Sequence, residues 1–511
     1  MLSFLKKVEE ITFKHSLISG FIFGVISGFI YAPFYYFPLI LTFAIFLYEN
    51  LKATSSKQAV TFGFAFGFGH FATCLFWVKN AYFVFDNPDL QLIGMFVPLF
   101  FGFWGSLFTS ILAYITYKCN DKYAKWLCFT GFFGILEWVR SWLFTGFPWN
   151  PFGSALAFDD NILQIISIIG IYGLSTFLMM FVSSFALLPK KTPLIVSSCI
   201  MISFFGFGFL RLKQNPTYYI ENGPLIRIVQ ASIPQIEKNT NKEKALHEYI
   251  YLSRKDDEEK KVTHVIWPES AYPFWIEEDD FYRSFLLRAV NQGGTLITGA
   301  DRKAVDEKGN INLYNSIVAV DDFGEIFLTY DKSHLVPFGE YVPLKDKLPF
   351  GIDKIANGFA DFSKGDGIKT YEMFKSPPFT PLICFESIFS GKVKNKDYRP
   401  SWFLNVSNDA WYGDSAGPYQ HLIATKLRAT EEGIPVIRAS NNGISAVIDA
   451  YGRILKKLDL DKKDYIDTPL PMKTLYTTLF GRYGNNVPMT INTIIITLVI
   501  CFLLHNKKNL L

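Results

Sequence analysis

The stretch from about residue 215 to 480 holds a single cysteine, Cys384. That domain can form no internal disulfide, so its fold must rest on burial and hydrogen bonds. The chain shows no spaced His/Cys/Asp/Glu set of the kind that holds a metal. It has no phosphate-binding glycine loop and no nucleotide motif, so no metal and no cofactor are expected. It has no long repeat and no low-complexity block. Charge is scarce: 19% of residues are charged, and the net charge of +4 is spread along the chain. That charge argues neither for nor against nucleic acid, and no nucleic-acid partner is expected.

What is abundant is apolar. Half of the 511 residues are hydrophobic, and 52 are Phe. The length exceeds one ordinary soluble domain, and the balance is not that of a soluble globule. The other five cysteines, Cys74, Cys119, Cys128, Cys199 and Cys501, lie in or beside apolar runs. A membrane helix needs ~20 apolar residues. On that criterion eight spans are expected, over 17–32, 34–49, 59–80, 92–116, 124–143, 163–188, 193–211 and 488–504. Pro33 and Pro38 separate the first two, which are short enough for a hairpin. The first span, after Lys6, Lys7 and Lys14, is read as retained and not as a cleaved signal.

Charge placement orients these spans. With the N-terminus inside, the short inner loops and tails carry Lys6, Lys7, Lys14, Lys52, Lys57, Lys118, Lys122, Lys125, Lys190, Lys191, Lys507 and Lys508. The outer loops carry little more than Lys79 and Arg140. This is a strong positive-inside asymmetry. It predicts a membrane domain of about seven helices over 1–214, an extracytoplasmic domain over 215–480, and a C-terminal span and cytoplasmic tail over 481–511. Both termini are then cytoplasmic. Glu137 and Arg140, spaced i,i+3 in the fifth span, can pair on one helix face. Ionisable groups in a span are costly, so the pair is either a structural brace or a lipid-facing device.

The soluble part alternates two kinds of segment. Apolar, β-branched runs predict strands over 225–231, 263–268, 294–300, 313–321, 325–330, 379–384, 401–406, 435–440 and 443–449. Helices are predicted over 239–258, 278–292 and 416–432, the last bounded by Gly417-Pro418 and Gly433. Such alternation points to a layered α/β fold.

Three motifs carry chemistry. In His264-Val265-Ile266-Trp267-Pro268-Glu269-Ser270, Pro268 halts a strand and presents Glu269 at its end. The loop around Lys332, His334 and Glu340 is held by Pro337, Gly339 and Pro343. Lys332 there can face a developing oxyanion, and His334 is a rival for general base, since Cys/His pairs are common. In Pro381-Leu382-Ile383-Cys384-Phe385-Glu386-Ser387, an apolar strand runs into a cysteine, the most nucleophilic common side chain once deprotonated. Alone, Cys384 reads equally well as a small buried hydrophobe. In the segment Asn405 to Gly413, Asn408 and Asp409 can cap a turn, while Trp411 is either core or a lipid-touching lip.

The order of Trp267-Pro268-Glu269-Ser270, Lys332-to-Glu340, Cys384-Phe385-Glu386 and Ser407-to-Trp411 resembles the nitrilase (carbon–nitrogen hydrolase) superfamily. Within it, the chain resembles the apolipoprotein N-acyltransferase family of bacterial inner membranes. Tyr31-Ala32-Pro33-Phe34 and the stretch from Glu137 to Trp149 extend the likeness into the membrane part. The resemblance implies a multi-span α-helical membrane domain plus an α/β nitrilase-like α-β-β-α sandwich. It implies Glu269 as general base, Lys332 as electrostatic stabiliser and Cys384 as nucleophile, with His334 shaping the loop. Glu340, Glu386, Asn315, Trp411, Phe385 and Trp149 fall on its substrate-binding or supporting positions. Phe385 stands where some relatives have Tyr, which removes one hydroxyl from the pocket.

The expected reaction is a two-step acyl transfer. Cys384 takes an acyl chain from a membrane phospholipid as a thioester, and the N-terminal amine of a diacylglyceryl-cysteine lipoprotein then takes it as an amide. Acyl chains leave a bilayer reluctantly, at ~0.8 kcal/mol per CH₂, which gives the spans a purpose. The alternative is a membrane-tethered amidase that hydrolyses small C–N substrates with the same three groups.

Overall fold

The structure is a computed structural model describing residues 15–84, 86–257, 261–305, 307–343, 361–395 and 398–508. Lys6, Lys7 and Lys14, and residue 258 at the end of the helix expected over 239–258, lie outside the described residues. The chain divides into two units. One comprises Met1–Lys79, Leu92–Asn215 and Thr478–Leu511, and the other Asn80–Gln91 and Pro216–Thr477.

The first unit is helical. Helices run over Ser16–Ser27, Thr42–Lys52, Ser56–Cys74, Pro88–Lys118, Lys122–Arg140, Ile166–Ser184, Thr192–Gln214 and Asn486–Lys508. By length and composition, Pro88–Lys118, Ile166–Leu187, Thr192–Gln214 and Asn486–His505 can each cross a membrane. Ser56–Cys74 with Phe76–Tyr82, bent by 50°, makes a fifth crossing if counted as one span. The remaining three helices fall short for local reasons. Pro38 starts a 3₁₀ stretch, Phe37–Leu41, which leaves only Thr42–Lys52 as α-helix. Ser16–Ile30 is apolar but short, and Lys122–Arg140 carries four charges, Lys122, Lys125, Glu137 and Arg140.

Small residues let these helices touch. A Cβ on Gly24 would sit 2.1 Å from the Phe66 carbonyl oxygen, and one on Gly69 would sit 2.5 Å from that of Phe21. Where no hydrophobic force separates helix from lipid, such close backbone approach is what holds helices together. Some buried polar groups pair across helices: Trp126 Nε1 donates to Met180 O at 3.1 Å, and Thr176 Oγ1 to Asn492 Oδ1 at 3.0 Å. Arg140 and Glu137 meet at 3.9 Å. Arg140 also donates to the carbonyls of Phe147 and Trp149 at 2.9 and 2.8 Å, and Phe152 N donates to Glu137 at 2.6 Å. In this geometry the pair braces the loop that follows its own helix. Trp149 is buried there, 4.8 Å from Trp77 and stacked on Phe147.

Among the described residues the second unit holds twelve strands: β1 Leu225–Gln230, β2 His264–Ile266, β3 Thr295–Val305, β4 Ile311–Asp321, β5 Ile326–Asp331, β6 Tyr371–Met373, β7 Ser376–Ile383, β8 Trp402–Ser407, β9 Val436–Ser440, β10 Ser445–Ile448, β11 Ile454–Leu458 and β12 Asp464–Pro469. They form two six-stranded sheets, ordered β12-β1-β2-β3-β4-β5 and β11-β10-β9-β8-β7-β6. β1, β2 and β3 run parallel, as do β7, β8 and β9. β6 and β11 are sheet edges, where Lys456 and Lys457 are tolerated, and neither edge shows as an apolar run. The helix expected over 239–258 breaks at Asn241 into Gln235–Thr240 and Lys242–Arg254.

A helix covers each sheet. Lys242–Arg254 buries Leu246, Tyr249 and Leu252 against Val265, Trp267 and Leu296. Trp267 is fully buried, and its Nε1 donates to Ser253 Oγ at 2.8 Å. Ala416–Glu432 buries Leu422 and Ala429 against Leu382, Phe403 and Val436. Ser415 caps its start, and Gly433, in the left-handed region at φ 65°, ends it. The sheets face each other where β1 meets β9, and Ser445 N donates to Gln230 Oε1 at 3.1 Å across that face. The result is the expected α-β-β-α sandwich.

Candidate active site

Parallel neighbours end on the same side, so the residues after β2, β7, β8 and β9 collect at one rim of the sandwich. Ile383 pairs with Val406, and Val406 with Ala439, so the turns at Cys384, Asn408 and Asn441 lie side by side.

Glu269 comes from the turn after β2. A Cβ on Gly299 would fall 2.6 Å from Glu269 Cα and 2.4 Å from Ser270 N, so the chain can run there only past a glycine. Each carboxylate oxygen of Glu269 is addressed. Asn315 Nδ2 reaches Oε1 at 2.8 Å, Lys332 Nζ reaches it at 3.4 Å, and Asn408 N donates to Oε2 at 2.8 Å. Glu340 mirrors this, with Oε1 accepting from Lys332 at 2.9 Å and Asn315 at 3.0 Å, and Oε2 accepting from Val336 N at 2.8 Å. Lys332 is 1% exposed and sits between the two carboxylates. Burial works against its charge, but Glu340 and then Glu269 outweigh that and raise Lys332 above the usual lysine range. It remains an ammonium through the physiological range.

Cys384 opens the 3₁₀ turn Cys384–Ile388 with φ 49°, a left-handed conformation that costs a non-glycine residue energy and recurs at functional sites. Its thiol is pushed up to about 12, first by burial and then by the Glu269 charge, with Lys332 pulling the other way. The resting sulfur is therefore a thiol that lies within the fields of both Glu269 and Lys332. It loses its proton only when a base takes it during attack.

Glu386 holds the two loops together. It accepts from Tyr330 OH at 2.8 Å, from Ser333 N and Oγ at 2.8 Å each, from His334 N at 3.1 Å and from Ile383 N at 2.8 Å. The Lys332 loop and the Cys384 turn thus share one carboxylate. His334 and Phe385 pack in an aromatic cluster, with the His334 ring 4.1 Å from Phe389 and 5.6 Å from Phe385. The geometry gives His334 a shaping position, as the family resemblance implied.

Other neighbours of the sulfur carried no separate sequence signal. Tyr412 OH lies 3.7 Å from Cys384 Sγ, one residue beyond the half-buried Trp411. Beneath the turn, His421 Nε2 faces the Cys384 carbonyl oxygen at 3.0 Å, and its Nδ1 is 2.9 Å from Asp409. Asp409, read from sequence as a turn cap, is instead bound to Arg438 at 2.6 Å. The donor atoms of Cys384, Asp409 and His421 lie within 4.8 Å of one another, which by distance one ion could bridge. Arg438 already holds two of the three, pairing with Asp409 and lying 3.2 Å from His421 Nδ1. Burial and then Arg438 lower His421, so it is neutral and supports the backbone.

The site can therefore do nucleophilic acyl chemistry with a thiol, a carboxylate base and a buried ammonium. Residues 23–184 match a family model described as the apolipoprotein N-acyltransferase N-terminal domain, and residues 225–478 one described as carbon-nitrogen hydrolase. The apolipoprotein N-acyltransferase of Rickettsia bellii is 36% identical, over 96% of this chain and 98% of its own. That of Rickettsia prowazekii is 35% identical, over 90% and 93%. Among solved structures, an amidase of the nitrilase superfamily from Nesterenkonia AN1 covers 49% of this chain and 93% of its own, at 17% identity and a TM-score of 0.36.

Proposed function

The chain belongs to the apolipoprotein N-acyltransferase family, and from that premise we propose that Cys384, Glu269 and Lys332 carry the acyl transfer. The protein is a membrane enzyme of lipoprotein maturation, an N-acyltransferase with a carbon–nitrogen hydrolase domain. The observation that supports this assignment best is the convergence of Glu269, Asn315 and the Lys332-to-Glu340 loop in one hydrogen-bonded cluster, with Glu269 and Lys332 both acting on the buried Cys384 thiol.

In the first step Glu269 takes the Cys384 proton as the sulfur attacks an ester carbonyl of a phospholipid. Lys332 faces the negative charge that builds on the carbonyl oxygen, together with the backbone N–H that follows the nucleophile. The C–O bond breaks, Glu269 returns the proton to the departing lysophospholipid, and a thioester remains. In the second step the N-terminal amine of a diacylglyceryl-modified lipoprotein attacks the thioester. Glu269 takes the amine proton and gives it to the leaving sulfur, so an amide forms and the thiol is regenerated. The lysine distribution of the short loops supports a catalytic unit on the extracytoplasmic face of the inner membrane, with both termini cytoplasmic.

Incubating the full-length enzyme with acyl-labelled phospholipid and then denaturing it tests the assignment. A hydroxylamine-labile label is expected on wild type and none on Cys384→Ser, with Glu269→Gln and Lys332→Ala both failing to form it. Label retained by folded Cys384→Ser at a site other than residue 384 would reject the nucleophile.

A further inference from the structure

The sulfur of Cys384 meets a side chain that the acyl-transfer scheme leaves unused. Tyr412 OH lies 3.7 Å from Cys384 Sγ, and either atom can be the donor there. Sulfur is larger than oxygen and a weak acceptor, so the contact is long and of little worth to the resting thiol. It changes once the thiol proton leaves. A thiolate carries no hydrogen, so the contact then persists only with the Tyr412 O–H donating. A donor that faces an anion is about twice as strong as one that faces a neutral group.

Several groups hold that hydroxyl at the sulfur. Tyr412 ends the 3₁₀ turn Asp409–Tyr412, which follows β8. At the start of the turn, Asp409 is held by Arg438 at 2.6 Å, Ser407 Oγ at 2.6 Å and His421 Nδ1 at 2.9 Å. At its end, the Tyr412 carbonyl accepts from Asn80 Nδ2 at 2.8 Å and from Ser415 Oγ at 2.7 Å. The Tyr412 ring lies edge-on to that of His421, with centroids 5.9 Å apart. The other nitrogen of the same imidazole faces the Cys384 carbonyl at 3.0 Å. One buried imidazole thus sets both the turn that carries the hydroxyl and the backbone that carries the sulfur. Burial and then the Cys384 charge hold the phenol well above its usual range, so its proton stays on oxygen while a thiolate exists.

We propose that Tyr412 is a catalytic residue of the acyl transfer, its hydroxyl donating to the Cys384 sulfur whenever that sulfur carries negative charge. The inference rests on the acyl-transfer reading above and adds a group to it. In the first step Glu269 draws off the thiol proton as the S–C bond begins to form, and the Tyr412 O–H holds the charge on sulfur until the bond is made. In the thioester the sulfur is neutral and the donation lapses. In the second step the S–C bond breaks as the amine attacks, and its electron pair returns to sulfur. Tyr412 donates again until Glu269 delivers the amine proton there. Tyr412 keeps its own proton throughout, so the proton balance of the two steps is unchanged. Lys332 answers the charge on the carbonyl oxygen, and Tyr412 answers the charge on sulfur.

The test compares full-length wild type with Tyr412→Phe, which removes one oxygen and leaves the ring against His421. Alkylation of Cys384 by iodoacetamide, read by peptide mass spectrometry, needs no lipid. It should be about tenfold slower in Tyr412→Phe, the effect of about one pKa unit on the thiolate population. With acyl-labelled phospholipid, the acyl-enzyme should also form about tenfold more slowly. Hydroxylamine should release the label from the native Tyr412→Phe acyl-enzyme more slowly by a similar factor, while the denatured acyl-enzymes release it alike. A ring that only packs predicts no change in any of these rates, since Phe packs the same way. Wild-type rates of alkylation and acylation in Tyr412→Phe overturn the proposal. Should Tyr412→Phe fail to fold, a ring-fluorinated tyrosine placed at 412, a stronger donor of nearly the same shape, decides instead. It must quicken alkylation, and an unchanged or slower rate overturns the proposal. Absence of acyl-enzyme in wild type would count against the acyl-transfer reading, and the alkylation series would still decide whether Tyr412 serves the sulfur.

Discussion

Cys384, the proposed nucleophile, is unusual because nothing around it favours the resting thiolate enough to form it. Burial and the neighbouring Glu269 raise its thiol to about 12 from an ordinary 9.0, and Lys332 recovers only part of that. A raised thiol favours the folded state below about pH 9, and that contribution is lost as pH climbs from 9 towards 12. The same shift governs reactivity. Alkylation of Cys384 by iodoacetamide, followed by peptide mass spectrometry, is expected to keep gaining between pH 9 and 11, where an ordinary thiol has levelled off. A curve flat above pH 9 would contradict a buried thiol that needs its base. At this scale the sequence named Glu269, Lys332 and Cys384 through their motifs. It could not name Tyr412, His421 or Arg438, because a single polar residue in an apolar run carries no pattern until the fold supplies its neighbour.

Between elements, the decisive contact is Glu386. The strand end at Ile383 and the loop from Tyr330 to His334 both aim donors at its carboxylate, and no other described residue links those two segments so densely. Glu386→Gln puts an amide donor against groups that are all donors. Acyl-enzyme formation is expected to fall by about tenfold or more, and stability by about 1–3 kcal/mol, because at least one buried donor is left unpaired. The checks are single-turnover acylation and denaturant unfolding of the detergent-solubilised protein; unchanged rates in a folded Glu386→Gln would remove the brace from the mechanism. The helix over 416–432 was legible from Gly417-Pro418 and Gly433, and the structure adds Ser415 as the cap of its start. The break at Asn241 was not, because both flanking segments carry helix-favouring residues and only their packing separates them.

For the molecule as a whole, membrane placement follows from where lysines stand between apolar runs. If the catalytic unit faces outward, Glu307→Cys, on an exposed loop of that unit, is expected to react with a membrane-impermeant maleimide in intact spheroplasts. Lys57→Cys, exposed at the start of the helix over Ser56–Cys74, should react only after lysis. Labelling of Glu307→Cys that also waits for lysis would reverse the orientation. Such a test reads the sidedness that the lysine count alone implies, without relying on activity.

The amino-acid order by itself determined that the chain has a membrane part and an α/β part, where β1–β5, β7–β10 and the helix over 416–432 run, and which motifs carry the proposed reactive groups. These are local properties, set by hydropathy, strand periodicity and the residues that stop a strand. Tertiary structure alone decided that Asn315 joins Glu269 to Glu340 and that Glu386 clasps two loops. The register of β12 on β1, Leu225 opposite Pro469, belongs with these. Each depends on parts of the chain dozens to hundreds of residues apart meeting across two sheets, and no local rule of sequence encodes such a meeting.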